Sequence, residues 1–380
     1  MNIINKSNLQ LPKFFHRTRT ISTNSSYRIS SLLQNYNTSA QFLVTDNDIG
    51  NGEVSTAIDA TKRSSTSSRP LSFENYFKFE YANSNYVHHG KPGRHLPMVS
   101  SLSDLSDSTQ IAALMPARRP IGSPTDTISI RSGDDALLCS RYFLGVADGI
   151  SSWGENKDAG LWARSMLEAM SRNLTFYERK ILSQNRSIND EEIEMLLDDS
   201  YMRTVQLMRD EGLEGSSTIL LCIILDHNLK IVNIGDSKFY MFRDGKIIKT
   251  NKEQMKSILC PEQLGTNDKI DELPSSKAIF DSEELKENDI LVICSDGLSD
   301  NLWQDEIELY VNKIIFQEGK TLQELANFLL KKAKNVAFDN YAVCPYVEKI
   351  NSLPFEIRKS YITGGKVDDI SVCVAKVLKN

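Results

Sequence analysis

Apolar residues recur along this chain either at every second position or at every third and fourth, and the switches between the two patterns predict its elements. Phe73, Phe77, Phe79 and Tyr81 in LSFENYFKFEY point to a first strand over 71–81. ALLCSRYFLGVAD (136–148) has two apolar runs about the polar pair Ser140–Arg141 and reads as a hairpin ending at Asp148. Leu161, Met166, Leu167, Met170 and Leu174 fall at helical spacing over 157–177, and Ile193, Leu196, Leu197, Val205 and Met208 do the same over 190–210. Strands return at 217–226, 229–236, 238–245 and 246–250, with breaks at Asn228, Gly235 and Gly245. DILVICSDG (289–297) is a buried strand that ends in an aspartate. Two helices follow near 303–316 and 321–337, and DISVCVAKVL (369–378) is the last strand.

Strands dominate this order and short turns join most of them, so antiparallel pairing is expected. Strands and helices come in groups, which points to an α+β fold. The architecture that buries every apolar face is two antiparallel β-sheets packed as a sandwich, flanked by pairs of α-helices on both sides. Residues 88–127 lose periodicity and carry Pro92, Pro97, Pro116, Pro120 and Pro124, as expected of a flexible insertion. At 380 residues, 40% hydrophobic and 25% charged, the chain can build a sizeable core. Its net charge of −6 argues against a broad basic face for nucleic acid. No apolar run reaches the ~18 residues of a membrane-spanning helix. The six cysteines lack any zinc-like spacing, and Cys139, Cys222, Cys294 and Cys373 sit in apolar strands, as buried thiols in a reducing compartment would.

The N-terminal stretch differs in kind. No Asp or Glu precedes Asp46, whereas Lys6, Lys13, Arg17, Arg19 and Arg28 stand among Ser, Thr and Asn. This is the composition of a mitochondrial transit peptide, assigned to 1–30, with the matrix as destination. The Ser/Thr/Asn-rich stretch 31–70 reads as a disordered linker. Residues 1–70 carry eight Lys or Arg against four acids, so the net charge understates how acidic the remainder is.

Four acids share one local setting. Asp135 opens an apolar run, Asp148 and Asp296 each end one and precede a glycine, and Asp368 lies just before the last strand. A carboxylate at the end of a buried strand is costly unless its charge is compensated. Four at different strand ends can converge on one rim of a sandwich, where hard oxygen donors suit Mg²⁺ or Mn²⁺. One such acid alone is more often a turn or cap residue.

GDDA (133–136), GVADG (145–149), SST (216–218), IGDS (234–237), CSDGLSDN (294–301) and GGKVDDISV (364–372) resemble, in order and spacing, the motifs of the metal-dependent type 2C Ser/Thr protein phosphatases, the PPM family. The resemblance covers 71–380. Ile150-Ser151-Ser152-Trp153 after GVADG is similar to the mitochondrial subfamily conserved from yeast to humans. The resemblance implies a phosphatase domain that hydrolyses phosphoserine and phosphothreonine of mitochondrial proteins by attack of a metal-activated hydroxide at a binuclear Mn²⁺ or Mg²⁺ centre, with a weak third ion. It further implies that Asp148 bridges both metals and that Gly149 offers its carbonyl to one. Asp296 and Asp368 would hold the first metal, Asp135 the second, and Asp300 the third. Asp236 would support the fold, and Asp369, where many relatives carry Asn, would support the ligands. Arg131, four residues before Asp135, is the candidate for holding the substrate phosphate. The subfamily points to ubiquinone-biosynthesis and other metabolic enzymes as protein substrates.

The chain departs from the family pattern near the bridging acid. Ile150 stands where many relatives carry a His assigned as general acid, and Ser151–Ser152 replace two glycines. No Asp stands at the usual place before SST. These departures motivate an alternative, a catalytically weak phosphatase-fold module that binds or regulates.

Overall fold

The computed structural model describes residues 75–88, 117–120, 122–150, 156–182, 186–268 and 272–380. The expected transit peptide (1–30), the linker (31–70), Ser151 and Ser152, and residues 89–116 of the expected insertion lie outside them.

In chain order come strands β1 (Phe77–Tyr86), β2 (Ala117–Arg118), β3 (Ile128–Ser132), β4 (Asp135–Cys139) and β5 (Phe143–Ala147). Helices α1 (Ala159–Leu182) and α2 (Asp190–Asp210) follow. Next are β6 (Ser216–Ser217), β7 (Ile219–Leu225), β8 (Asn228–Ile234), β9 (Lys238–Arg243) and β10 (Lys246–Thr250). The short strands β11 (Met255–Ser257), β12 (Cys260–Pro261) and β13 (Leu264–Gly265) lead to α3 (Pro274–Lys277), β14 (Ile279–Glu284) and β15 (Ile290–Cys294). The chain then forms α4 (Asp296–Ser299), α5 (Gln304–Val311), a π-helical turn at Asn312–Gln317, α6 (Leu322–Ala337), α7 (Pro345–Asn351), α8 (Phe355–Arg358) and β16 (Ile370–Lys379).

Two antiparallel sheets form the centre. One runs β1-β16-β15-β9-β10, the other β14-β8-β7-β5-β4-β3-β2. Alternation along the strands sorts the side chains into three cores. Leu137 and Cys139 of β4 join Leu144, Phe239, Leu291, Ile293 and Cys373 between the sheets. Their neighbours Ala136 and Leu138 face outward onto Trp162, Met166 and Leu167 of α1 and Leu197 of α2. On the other side, Val292, Cys294 and Val372 pack on Ile307, Leu325 and Leu329 of α5 and α6. Strands buried on both faces read as unbroken apolar runs, which is why β7 and β15 were plain in the sequence. The expected α+β sandwich flanked by helix pairs is the observed one.

Two helices begin on reciprocal caps that fix their start points. Asn189 accepts from the Glu192 N–H while Glu192 reaches back to the Asn189 N–H, and Thr321 with Glu324 repeats the arrangement. The first strand departs from expectation: it spans Phe77–Tyr86, continuing past the expected end at Tyr81, while residues 71–74 of the expected 71–81 lie outside the described residues. It pairs along its full length with β16, from Phe77↔Lys379 to Tyr86↔Ile370, so the ladder carries the polar run Asn83-Ser84-Asn85 that alternation alone would exclude. Part of the span expected as an insertion carries β2, which pairs with β3, and Arg118 there forms a two-point ion pair with Glu168 of α1.

Sheet register positions the acids. Cys294 at the end of β15 lies opposite Lys238 at the start of β9 and Val372 near the start of β16. Asp236, Asp296 and Asp368, which flank these strand ends, are thereby gathered at one end of the sandwich. Asp135 pairs with Ser132 across the β3–β4 turn, and Asp148 follows β5, two strands of the other sheet.

Candidate functional site

A cleft of about 340 Å³ opens at this end. Asp148, Gly149, Asp236, Asp296, Asp300 and Asp368 line it, with Lys366 among them. Asp135 is 1% exposed and is not on the cleft wall; its charge is nonetheless felt by Asp148.

The backbone is tightly held around Asp148. Its N–H donates to Thr218 Oγ1 at 3.0 Å, and its carbonyl accepts from the Thr218 N–H at 2.9 Å. Thr218 Oγ1 is in turn 2.8 Å from Ser237 Oγ, which links the segments just before β7 and β9 behind Asp148. The next position must be glycine: a Cβ on Gly149 would lie 2.1 Å from the Asp134 carbonyl oxygen.

Behind the cleft, Asp369 (3% exposed) accepts from the N–H of Asp134 at 2.9 Å and from that of His88 at 2.6 Å. It ties the start of β16 to the β3–β4 turn and to the end of β1. The backbone of Lys366 is clamped by buried Asn301, whose Oδ1 accepts from the Lys366 N–H at 3.0 Å and whose Nδ2 donates to the Lys366 carbonyl at 2.8 Å.

The electrostatics follow from crowding. Burial pushes the Asp135 carboxyl well above its ordinary range, and the charges of Asp369 and Asp368 push it further, with a Ser295 hydrogen bond working against them. Burial likewise raises Asp148, reinforced by Asp296, Asp135 and Asp368. Asp236 is pushed up to about 7 and Asp300 to about 6, in both cases by burial first and then by Asp296. Asp296 is the exception. Burial raises it, but the Lys366 ammonium overrides this and holds it below the ordinary value. That ammonium contacts Asp296 Oδ2 closely, Asp300 Oδ2 at 2.9 Å and Asp368 Oδ2 at 3.1 Å.

These donors suit a hard cation. Asp236 Oδ1 and Asp296 Oδ1 are buried without a hydrogen-bond partner, an arrangement that costs free energy unless something positive approaches them. Several mutually repelling carboxylates share the direct contact of one ammonium. Among the described residues no three His, Cys, Asp or Glu side chains are drawn together as a ready ion cage; Lys366 stands among Asp296, Asp300 and Asp368 instead.

No protein-family model matches the chain. It is 30% identical over 263 residues to a Drosophila willistoni protein phosphatase, the PTC7 homolog fig, covering 65% of this chain and 78% of that protein. The chain belongs to the type 2C protein phosphatase family. Within that family it is also 28% identical over 285 residues to the probable protein phosphatase 2C BIPP2C1 of Oryza sativa subsp. japonica, covering 73% of this chain and 45% of the relative. The chain spans about half the length of the rice relatives it matches, 45% and 50%. Among solved structures, the photosystem II phosphatase PBCP is similar with a TM-score of 0.52 at 25% identity, covering 64% of this chain and 91% of that one.

Of the residues singled out from the sequence, Asp148, Gly149, Asp296, Asp300 and Asp368 meet on one cleft wall, with Asp135 buried nearby. Arg131 does not line the cleft. Its guanidinium grips Asp158 at 2.6 and 3.2 Å and donates from Nε to the Gly133 carbonyl at 3.1 Å. Four residues with clear work escaped the sequence reading: Lys366, Ser295, Thr218 and Asn301. Each stands inside one of the quoted motifs, next to or near an acid, but what it touches depends on strands far apart in the chain.

Proposed function

We propose that this chain is a metal-dependent protein serine/threonine phosphatase that hydrolyses phosphoserine and phosphothreonine of mitochondrial proteins. The observation that carries the proposal is the single cleft lined by Asp148, Asp236, Asp296, Asp300 and Asp368, two of them with buried, unpartnered oxygens. Asp148, Gly149, Asp296 and Asp368 would hold divalent Mn²⁺ or Mg²⁺, with Asp135 at a second ion and Asp300 at a loosely held third. Such ions, when bound, supply an activated water nucleophile and offset charge on the phosphoryl oxygens.

The chain's own residues do the positioning. Thr218 fixes the backbone of Asp148 through two hydrogen bonds, so the fold sets the point from which its side chain extends into the cleft. Ser295 orients the buried Asp135 carboxylate with a 2.7 Å hydrogen bond. The cleft is open enough for a phosphorylated side chain, and Leu259, Met255, Tyr346 and Lys349 on its rim offer apolar and basic contacts to a flanking peptide. The acid-free basic leader and the motif likeness to the mitochondrial subfamily support the mitochondrial address and, as substrates, metabolic enzymes of the kind that make ubiquinone.

The test is phosphate release from a phosphothreonine peptide by the full chain in Mn²⁺, in Mg²⁺ and in chelator, beside Asp148→Asn. Activity that needs metal and is lost in the variant is the expected result. Metal-independent release, or full release by Asp148→Asn, would overturn the proposal. Lys366 among the ligands gives the binding-module alternative some support, and silence from a folded wild type would favour it.

A further inference from the structure

The three oxygens that Lys366 contacts belong to three acids expected to hold metal. A lysine ammonium is a compact, strongly hydrated point charge on a flexible stem, so it can satisfy a carboxylate cluster that a divalent ion would also satisfy. The stem of this lysine is not free to drift. Asn301, 1% exposed, clamps the Lys366 peptide from both sides and also donates to the Gly297 carbonyl at 2.9 Å, which locks the clamp to α4 beside Asp296. A fixed backbone and a flexible stem make the ammonium a tethered ion whose local concentration at the cluster is set by the fold. Its 23% exposure leaves it a route towards solvent.

We propose that Lys366 competes with divalent metal for Asp296, Asp300 and Asp368 and thereby sets the metal affinity of the site. The tethered charge serves two ends. It neutralises acids that would otherwise repel one another at this end of the sandwich. It also weakens metal binding, because an incoming ion must displace an ammonium already held by three carboxylates. The same three oxygens cannot be given in full to both cations, since ammonium contacts and metal bonds each require the lone pairs of the Oδ2 atoms. Divalent metal and lysine are therefore linked, and the linkage is reciprocal.

The inference rests on the acids being metal ligands, and the experiment separates the two ideas. Isothermal titration of Mn²⁺ into the full chain is compared for wild type, Lys366→Met and Lys366→Gln, the second variant guarding against a packing defect peculiar to the first. Thermal melting of all three is followed in chelator and in Mn²⁺. The expected result is binding by the wild type and about tenfold tighter binding by both variants, the gain from no longer displacing a charge-assisted contact. In chelator both variants should melt lower than wild type, and Mn²⁺ should raise their melting temperatures by more than it raises that of the wild type. Equal or weaker Mn²⁺ affinity in the variants would overturn the tethered cation while leaving the metal site standing. No Mn²⁺ binding by folded wild type and variants alike would overturn the metal reading and this inference with it.

Discussion

Ser295 donates its hydroxyl to Asp135 Oδ2 at 2.7 Å across a gap of 160 residues, joining the end of β15 to the start of β4. The same hydroxyl accepts from the Ser371 N–H at 3.0 Å, so one 0%-exposed side chain links both sheets. Ser295→Ala removes a donor from a buried carboxylate and an acceptor from a buried N–H. A loss of about 1–3 kcal/mol in urea unfolding is expected, since unsatisfied buried groups bear their full desolvation cost. A change within about 0.5 kcal/mol of wild type would show that the bond carries little of the joint.

Asp369 has a comparable task close by. Its two oxygens accept from two backbone N–H groups, those of Asp134 and His88. Asp369→Asn keeps one acceptor but turns an amide NH₂ towards a backbone donor. Hydrogen bonds to charged groups are worth about 1.5–3 kcal/mol, and a stability loss within that range is expected. Hydrogen exchange at the Asp134 or His88 amide should speed up, and unchanged rates at both would count against the bond.

The fold was largely legible because its strands are buried on both faces and its helices are long and amphipathic. Leu137 and Leu138 are adjacent yet face different cores, and that double burial is what made β4 an unbroken apolar word. Strands defined by pairing instead of burial were hidden. β14 reads IFDSEE and β3 reads ISIRS, and both exist because a neighbouring strand completes their ladders. The acids of the cleft stood out because a charge at the end of an apolar run is conspicuous. Their partners did not, because Ser, Thr, Asn and Lys are ordinary near turns. Only long-range register tells that Ser295 reaches Asp135 or that Lys366 meets three carboxylates. Arg131 has the right chemistry for phosphate, and its guanidinium also grips Asp158, a residue the periodicity gave no reason to notice.

Glu178 on α1 offers a pH test away from the cleft. Burial pushes its carboxyl from 4.5 up to about 7. The folded protein therefore holds a proton that the unfolded chain releases at lower pH. Stability from this group is full below the unfolded value and is lost as pH rises through the window between 4.5 and about 7. Glu178→Gln removes the penalty. The variant should melt like wild type at about pH 4.5 and be more stable at about pH 8, by on the order of 1 kcal/mol once solvent screening of a partly exposed group is allowed for. A stability gap that is the same at both pH values would refute the assignment.

Arg131 and Asp158 hold the start of α1 against the β3–β4 turn. Asp158 Oδ1 takes the Arg131 Nη2 at 2.6 Å and also the Leu161 N–H at 2.8 Å, the third residue of the helix, so the carboxylate caps the helix while pairing with the arginine. Asp158 is 8% exposed, and without the guanidinium its charge would be left buried with the cap alone. Arg131→Ala should cost about 1–3 kcal/mol in urea unfolding, and Arg131→Lys should recover only part of that, because an ammonium cannot reproduce the two-point grip. Three of the five guanidinium N–H donors are engaged by Asp158 and Gly133, which leaves capacity for a substrate phosphate. The two roles separate by measurement. If clamping dominates, stability falls in Arg131→Ala and KM for a phosphothreonine peptide moves little in the fraction that stays folded. A rise in KM with stability unchanged would make phosphate contact the main role of this arginine and the clamp incidental.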